Sequence, residues 1–222
     1  MKLVYFNGRG FAETSRIILA VAKVDYEDYR YPIEIIDWKS HDIIKKEFDE
    51  DKANKKMLKS LNKVPYLELD GTIICQSKSI ERFLAKKFGL MGSTDIEEAH
   101  IDSICETIRD IKDEYKHFKK TREKDIDYLG SSQISIKDWF KDTLCSKLSL
   151  LENILEENGY SVGDKLSLAD IIIFTFITQF FDDKEESLKA SQSCSKINNI
   201  INNVSGIVEI QSWIEKRPQT AF

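Results

Sequence analysis

Up to about Phe88 the chain changes its hydrophobic period repeatedly, and after that it keeps to one. Lys2–Phe6 is a short β-rich run. Over residues 13–24, Ile17, Ile18, Val21 and Ala22 form an apolar stripe at helical spacing. Residues 26–31 alternate again and stop at Pro32, and the highly charged stretch 37–59 reads as an irregular helical excursion. Tyr66–Leu69 and Thr72–Cys75 flank Asp70-Gly71, a two-residue hairpin signal. Residues 76–88 read as a helix that stops near Gly89. The order β-α-β-α-β-β-α predicts a four-stranded mixed sheet with helices against it.

Leu90-Met91-Gly92-Ser93 reads as a linker, and everything beyond it as helix. Ile101, Ile104, Cys105, Ile108 and Ile111 follow the i, i+3, i+4, i+7 pattern of an amphipathic helix. Residues 135–158 predict a second long helix ending before Gly159. Residues 168–181 are apolar nearly all round, as a buried central helix would be. Ser167-Leu168-Ala169-Asp170 has the form of a capping box, with Leu166 and Ile171 where a hydrophobic staple falls.

Composition narrows the class. The chain has 222 residues, 41% hydrophobic and 32% charged, enough to bury a core without staples. A net charge of -5 argues against nucleic acid or an acidic membrane as the main partner. The most apolar stretch carries Asp170, Thr175, Thr178 and Gln179 and is too short and polar to span a bilayer. The first residues lack the apolar run of a secretory signal, so a cytoplasmic protein is expected. The 4 cysteines contain no CxxC pair and read as reduced thiols. The 3 histidines show no metal-ligand spacing.

Candidate chemistry sits at three junctions. Tyr5-Phe6-Asn7 closes the first strand and runs into Gly8-Arg9-Gly10-Phe11-Ala12-Glu13, which puts a phenol where strand turns to helix. Asn62-Lys63-Val64-Pro65 leads into a proline-broken strand, and Gln76-Ser77 opens a helix. These motifs run in order with Leu69-Asp70-Gly71, Ser167-Leu168-Ala169-Asp170 and the tail Trp213-Ile214-Glu215-Lys216-Arg217-Pro218-Gln219-Thr220. Together they resemble the cytosolic glutathione transferases, most of all the sigma-type enzymes that include glutathione-dependent prostaglandin D synthases. The resemblance implies an α+β thioredoxin-like N-terminal domain (βαβαββα) over 1–89 and a linker at 90–93. An all-α domain over 94–222 would contribute the electrophile pocket, usually in a homodimer. The implied reaction joins the thiolate of reduced glutathione to a small hydrophobic electrophile, a detoxification chemistry.

A free thiol titrates near ~8.5, so little of it is ionised at neutral pH. Lowering that value by roughly two units takes about 3 kcal/mol of preferential anion stabilisation. One hydrogen bond to a charged acceptor supplies ~1.5–3 kcal/mol. By resemblance Tyr5 is the donor and stays protonated; from its strand alone it reads as a core aromatic. Pro65 would be cis by resemblance, turning the Val64 backbone outward to pair with the cysteinyl unit by strand addition. The plain alternative is a trans proline at a strand edge. Gln76 and Ser77 would offer helix N–H groups to the γ-glutamyl carboxylate, although Ser77 also reads as a simple N-cap. Trp38 and Lys63 match positions that hold the glycyl end, and Trp38 fits packing almost as well. Lys45 is a further candidate in a stretch longer than in sigma-type relatives. Asp110 shares an acidic flank with Asp102, Glu106 and Asp113, by default a solvated face. By resemblance Asp110 reaches across the dimer to the amino group of the neighbour's glutathione. Arg109 interrupts the acids that bind a divalent ion in some prostaglandin synthases, so no metal is expected.

Two positions depart from the pattern. Phe11 stands where relatives commonly carry an arginine supporting the tyrosine, leaving Arg9 or Arg16 to compensate. Leu61 stands where relatives often place an aromatic anchor for the partner subunit. Two other readings share the fold: a glutathione-dependent prostaglandin D-type isomerase, and a non-catalytic binding or structural protein. The weak match around Arg109 counts against the first, and the retained Tyr5, Val64-Pro65 and Gln76-Ser77 against the second.

Overall fold

A computed structural model describes residues 1–37, 42–124 and 135–220. The chain divides into two units, Met1–Phe88 with Val208–Phe222, and Gly89–Ile207.

In the first unit, β1 (Lys2–Phe6), α1 (Glu13–Val21), β2 (Glu27–Tyr31), β3 (Glu34–Asp37) and β4 (Asp42–Ile44) come first. They are followed by α2 (Lys46–Ala53), β5 (Tyr66–Leu69), β6 (Thr72–Cys75) and α3 (Ser77–Lys87). The main sheet has the order β2-β1-β5-β6. β1 runs parallel to β2 and antiparallel to β5, which pairs antiparallel with β6. This is the four-stranded mixed sheet that the hydrophobic pattern predicts. Leu3, Val4 and Tyr5 are all buried, as a strand covered on both faces requires. Asp70 and Gly71 both have positive φ (49° and 78°), the backbone of a tight hairpin turn.

The stretch 37–59 is less helical than its charge suggests. β3 and β4 form a separate antiparallel hairpin, with Ile35 opposite Ile43 and a register shift between Ile35 and Asp37. Branched side chains facing one another across a ladder favour strand over helix there. α2 follows, and a 3₁₀ turn covers Leu58–Ser60. α2 buries Phe48, which joins Val4, Tyr31 and Met57 in one cluster.

In the second unit, α4 (Asp95–Lys124) is followed by α5 (Ile136–Asp138), a wider-wound stretch Trp139–Leu144 and α6 (Cys145–Glu152). Next come α7 (Leu168–Thr175), prolonged by a wide turn Phe176–Phe180, then α8 (Lys184–Ala190) and α9 (Ser195–Ser205). Every residue of α7 is buried, and it packs against α4 and α9. The helix expected over 135–158 stops at Glu152. There its carboxylate accepts the N–H groups of Lys196 (2.7 Å) and Ile197 (3.1 Å), capping α9 instead of continuing its own helix surface. Leu90 and Met91, expected in a linker, are buried in this unit, and Leu168 N–H donates to the Leu90 carbonyl (2.8 Å).

The last helix, α10 (Val208–Lys216), was expected with the helical domain but packs on α1 in the first unit. Polar contacts tie it there beside its buried Ile210. Buried Glu13 of α1 accepts Trp213 Nε1–H (2.9 Å) and an Arg217 N–H, while Lys23 pairs with Glu209 (2.6 Å).

The capping box exists as expected. Asp170 accepts the N–H of Ser167 (2.7 Å) and of Ser161 (2.6 Å) and the Ser167 hydroxyl (2.8 Å). Burial pushes the Asp170 carboxyl upward, against the hydrogen bonds from Ser161 and Ser167. Asp170→Ala strands two buried N–H groups, so a loss of about 3 kcal/mol is expected. For a chain of this size that is a fall in Tm of roughly 6–12 °C in a thermal melt.

Candidate active site

Tyr5 is the penultimate residue of β1, with 6% of its surface exposed. The chain then folds back over the ring. Gly8 N–H donates to the Phe6 carbonyl (2.7 Å), and Phe11 N–H donates to the Tyr5 hydroxyl oxygen (3.2 Å). Gly10 makes this closure possible, with φ at +37° and a position where an added Cβ would lie 2.6 Å from the Tyr5 oxygen. Because the oxygen accepts from Phe11, the phenolic proton is left to donate elsewhere. Burial pushes the Tyr5 pKa up, opposed by the Phe11 N–H and the Arg16 charge. At neutral pH the group is therefore a protonated donor.

Arg16 of α1 is fully buried. Its Nε donates to Asp28 (3.1 Å) and its Nη1 to the Gly8 carbonyl (2.5 Å). Its guanidinium carbon lies 6.0 Å from the centre of the Tyr5 ring. Phe11 brings no charge, and its side chain is 55% exposed. Arg16, supplied from α1, is a cation facing the Tyr5 ring.

A groove of about 240 Å³ opens in the same unit. Lys63, Val64 and Pro65 line it from the segment before β5, and Cys75, Gln76 and Ser77 from the β6–α3 junction. Phe11, Ser60 and Leu61 complete the lining. The Val64–Pro65 peptide is cis. Leu61 and Asn62 are both left-handed (φ 58° and 55°), fastened by Asn62 N–H to Met57 O (2.9 Å) and Lys63 N–H to Ser60 O (3.1 Å). Gln76 is the N-cap of α3, at φ 71°, and makes no side-chain cap bond. Ser77 is the first helical residue, so the reading of Ser77 as N-cap does not hold. The first N–H groups of α3 have no acceptor within the helix, which suits an anion.

Lys63, Val64, Pro65, Gln76 and Ser77 therefore meet in one groove. Phe11, another lining residue, holds Tyr5. Lys45 does not line the groove; its Nζ lies 5.6 Å over the Phe48 ring. Trp38 lies outside the described residues. Asp110 is an exposed residue of α4 in the second unit. Ser60 and Cys75 were not foreseen, although each adjoins a residue that was singled out, Leu61 and Gln76. Cys75 Sγ donates to the Lys59 carbonyl (3.4 Å), tying the two sides of the groove.

Comparison with known proteins bears on this geometry. Residues 1–86 match the family described as Glutathione S-transferase, N-terminal domain, and residues 130–217 its C-terminal domain. The chain is 31% identical over 225 residues to glutathione S-transferase 4 of Caenorhabditis elegans, covering 97% of this chain and 96% of that one. It is 32% identical over 225 residues to the hematopoietic prostaglandin D synthase of Gallus gallus, covering 100% and 98%. The solved structure of monomeric Na-GST-3, a glutathione S-transferase of Necator americanus, is similar at a TM-score of 0.71. There the identity is 28%, over 100% of this chain and 98% of the other.

Gly10→Ala forces the Tyr5 hydroxyl and the turn apart. The expected cost is about 1–2 kcal/mol of stability in denaturant unfolding. A phenol titration referenced to Tyr5→Phe should place wild-type Tyr5 above the usual tyrosine range of about 10 and show it altered in Gly10→Ala.

Proposed function

Since the chain belongs to the glutathione S-transferase family, we propose that Tyr5 donates its phenolic hydrogen bond to the sulfur of reduced glutathione. The enzyme is a glutathione transferase with glutathione as co-substrate. The observation that carries the role of Tyr5 is its hydroxyl geometry. The oxygen is already satisfied by Phe11 N–H, and burial keeps the proton on. A hydrogen bond to an anion contributes ~1.5–3 kcal/mol, enough to lower the thiol pKa by about 1–2 units.

The groove suits a small peptide with two carboxylates. The start of α3, at Gln76 and Ser77, takes the γ-glutamyl carboxylate. The Val64 backbone, beside Pro65, pairs with the cysteinyl unit. Lys63 takes the glycyl carboxylate, with Trp38 and Lys45 as further candidates. The thiolate, once formed, attacks a small hydrophobic electrophile and displaces its leaving group. We assign this chemistry to detoxification in the cytoplasm; no described helix is long and apolar enough to cross a membrane. The isomerase reading is kept because of the likeness to the Gallus gallus prostaglandin D synthase. Product analysis with a prostaglandin endoperoxide separates the two.

The assembly proposed is a homodimer, in which Asp110 reaches the amino group of glutathione bound to the second copy. Leu58 (59% exposed) and Leu61 (64% exposed) supply apolar surface for the contact. Sedimentation equilibrium should give twice the chain mass of 25.7 kDa; a mass of one chain would remove both the dimer and the role of Asp110.

Tyr5→Phe removes the donor and leaves the ring. The expected result is a roughly 10–100-fold loss of kcat/KM with a chloronitrobenzene substrate. The thiol pKa of bound glutathione should rise by about 1–2 units, because the anion loses its donor. Unchanged turnover and thiol acidity would exclude Tyr5 from the mechanism.

A further inference from the structure

The tail Trp213–Arg217 is tied to the turn over Tyr5 through buried charge. Glu13 is 5% exposed at the start of α1. One of its oxygens accepts Trp213 Nε1–H (2.9 Å) and an Arg217 N–H, and the other lies 3.8 Å from Arg16 Nη1. That same Nη1 donates to the Gly8 carbonyl at 2.5 Å. With its Nε held by Asp28 (3.1 Å), Arg16 has its Nη1 between two acceptors and bonded to the one that shapes the turn. The second, Glu13 Oε2, is buried and has no hydrogen-bond partner among the described residues.

We propose that Arg217 and Trp213 are positioning residues for thiol activation: by holding and neutralising Glu13, they leave Arg16 on the Gly8 carbonyl beneath Tyr5. This rests on the reading of Tyr5 as the donor to the glutathione sulfur. Buried unlike charges attract strongly, and a carboxylate that loses its other cation draws the remaining one. Without Arg217, Arg16 moves from Gly8 toward Glu13. The turn that presents Phe11 N–H to the phenol then loosens, and the phenol loses a facing cation. Both changes make Tyr5 a weaker donor, so the bound thiol becomes less acidic.

A purely mechanical role for the tail predicts something else. α10 is also held to the turn after α1 by the Lys23–Glu209 pair, where Lys23 is 73% exposed. If docking of α10 were all that mattered, loss of either tie would act through stability alone.

The test uses the full chain with glutathione. The thiolate absorbance of bound glutathione is titrated, and the pH profile of kcat/KM is measured with a chloronitrobenzene substrate. Arg217→Ala should raise the thiol pKa by about half a unit, a roughly threefold lower thiolate fraction below that pKa. Arg217→Lys should restore most of this. Trp213→Phe, which keeps an aromatic ring but removes the indole N–H, should shift it less in the same direction. Lys23→Ala should leave it at the wild-type value. In a Tyr5→Phe background the effect of Arg217→Ala should vanish, because both act on one donor. The proposal is overturned if folded Arg217→Ala and Trp213→Phe keep the wild-type thiol pKa. It is equally overturned if the Arg217→Ala shift persists in the Tyr5→Phe background, and the role of Tyr5 then stands. If Tyr5→Phe alone leaves the thiol pKa unmoved, the reading of Tyr5 falls and takes this proposal with it.

Discussion

A guanidinium with no access to water governs the first unit. Arg16 cannot shed its proton, so the acceptors that meet its Nε and Nη1 fix where it sits, while its Nη2 has no hydrogen-bond partner among the described residues. β2 supplies Asp28, which also pairs with Arg30 (2.7 Å), the residue opposite Tyr5 in the ladder. The turn after β1 supplies the Gly8 carbonyl, and α1 itself supplies Glu13 at longer range. Strand, turn and helix are therefore placed relative to one cation. The phenol of Tyr5 lies within the reach of that cation.

This arrangement explains how Phe11 is tolerated. A charged side chain at that position would approach the phenol from the surface. Here the backbone N–H of Phe11 holds the oxygen, and the positive charge comes from the interior. A buried charge is screened less by salt and water than an exposed one, so its effect on the phenol is stronger per unit of distance. The side chain of Phe11 is then available to line the groove.

The second unit solves a similar problem with carboxylates. Asp170 takes two backbone N–H groups and a hydroxyl at the head of α7, and Glu152 takes two N–H groups at the head of α9. Helix starts inside an apolar core leave donors that water does not reach, and an acid placed there meets them. The buried acid is kept at the helix end by the same bonds that satisfy the helix.

The sequence alone was enough for features whose energetics lie between near neighbours. Asp70-Gly71 needs only its own φ angles to make a turn, and Ser167 with Asp170 closes a box within four residues. The periods of α1, α3, α4 and α7 were legible for the same reason, whereas the motifs at Tyr5, Val64-Pro65 and Gln76-Ser77 carried meaning only through resemblance to a family. Long-range pairing was not. Nothing local separates a charged helix from the β3–β4 hairpin, because cross-strand contact between Ile35 and Ile43 makes the difference. Glu13 and Trp213 are 200 residues apart, so no spacing rule could attach the tail to α1 rather than to the helices before it. Burial of Glu13 and Arg16 emerges only when the sheet and both helices are packed, and a buried charge then dictates which distant donors and acceptors must come to it.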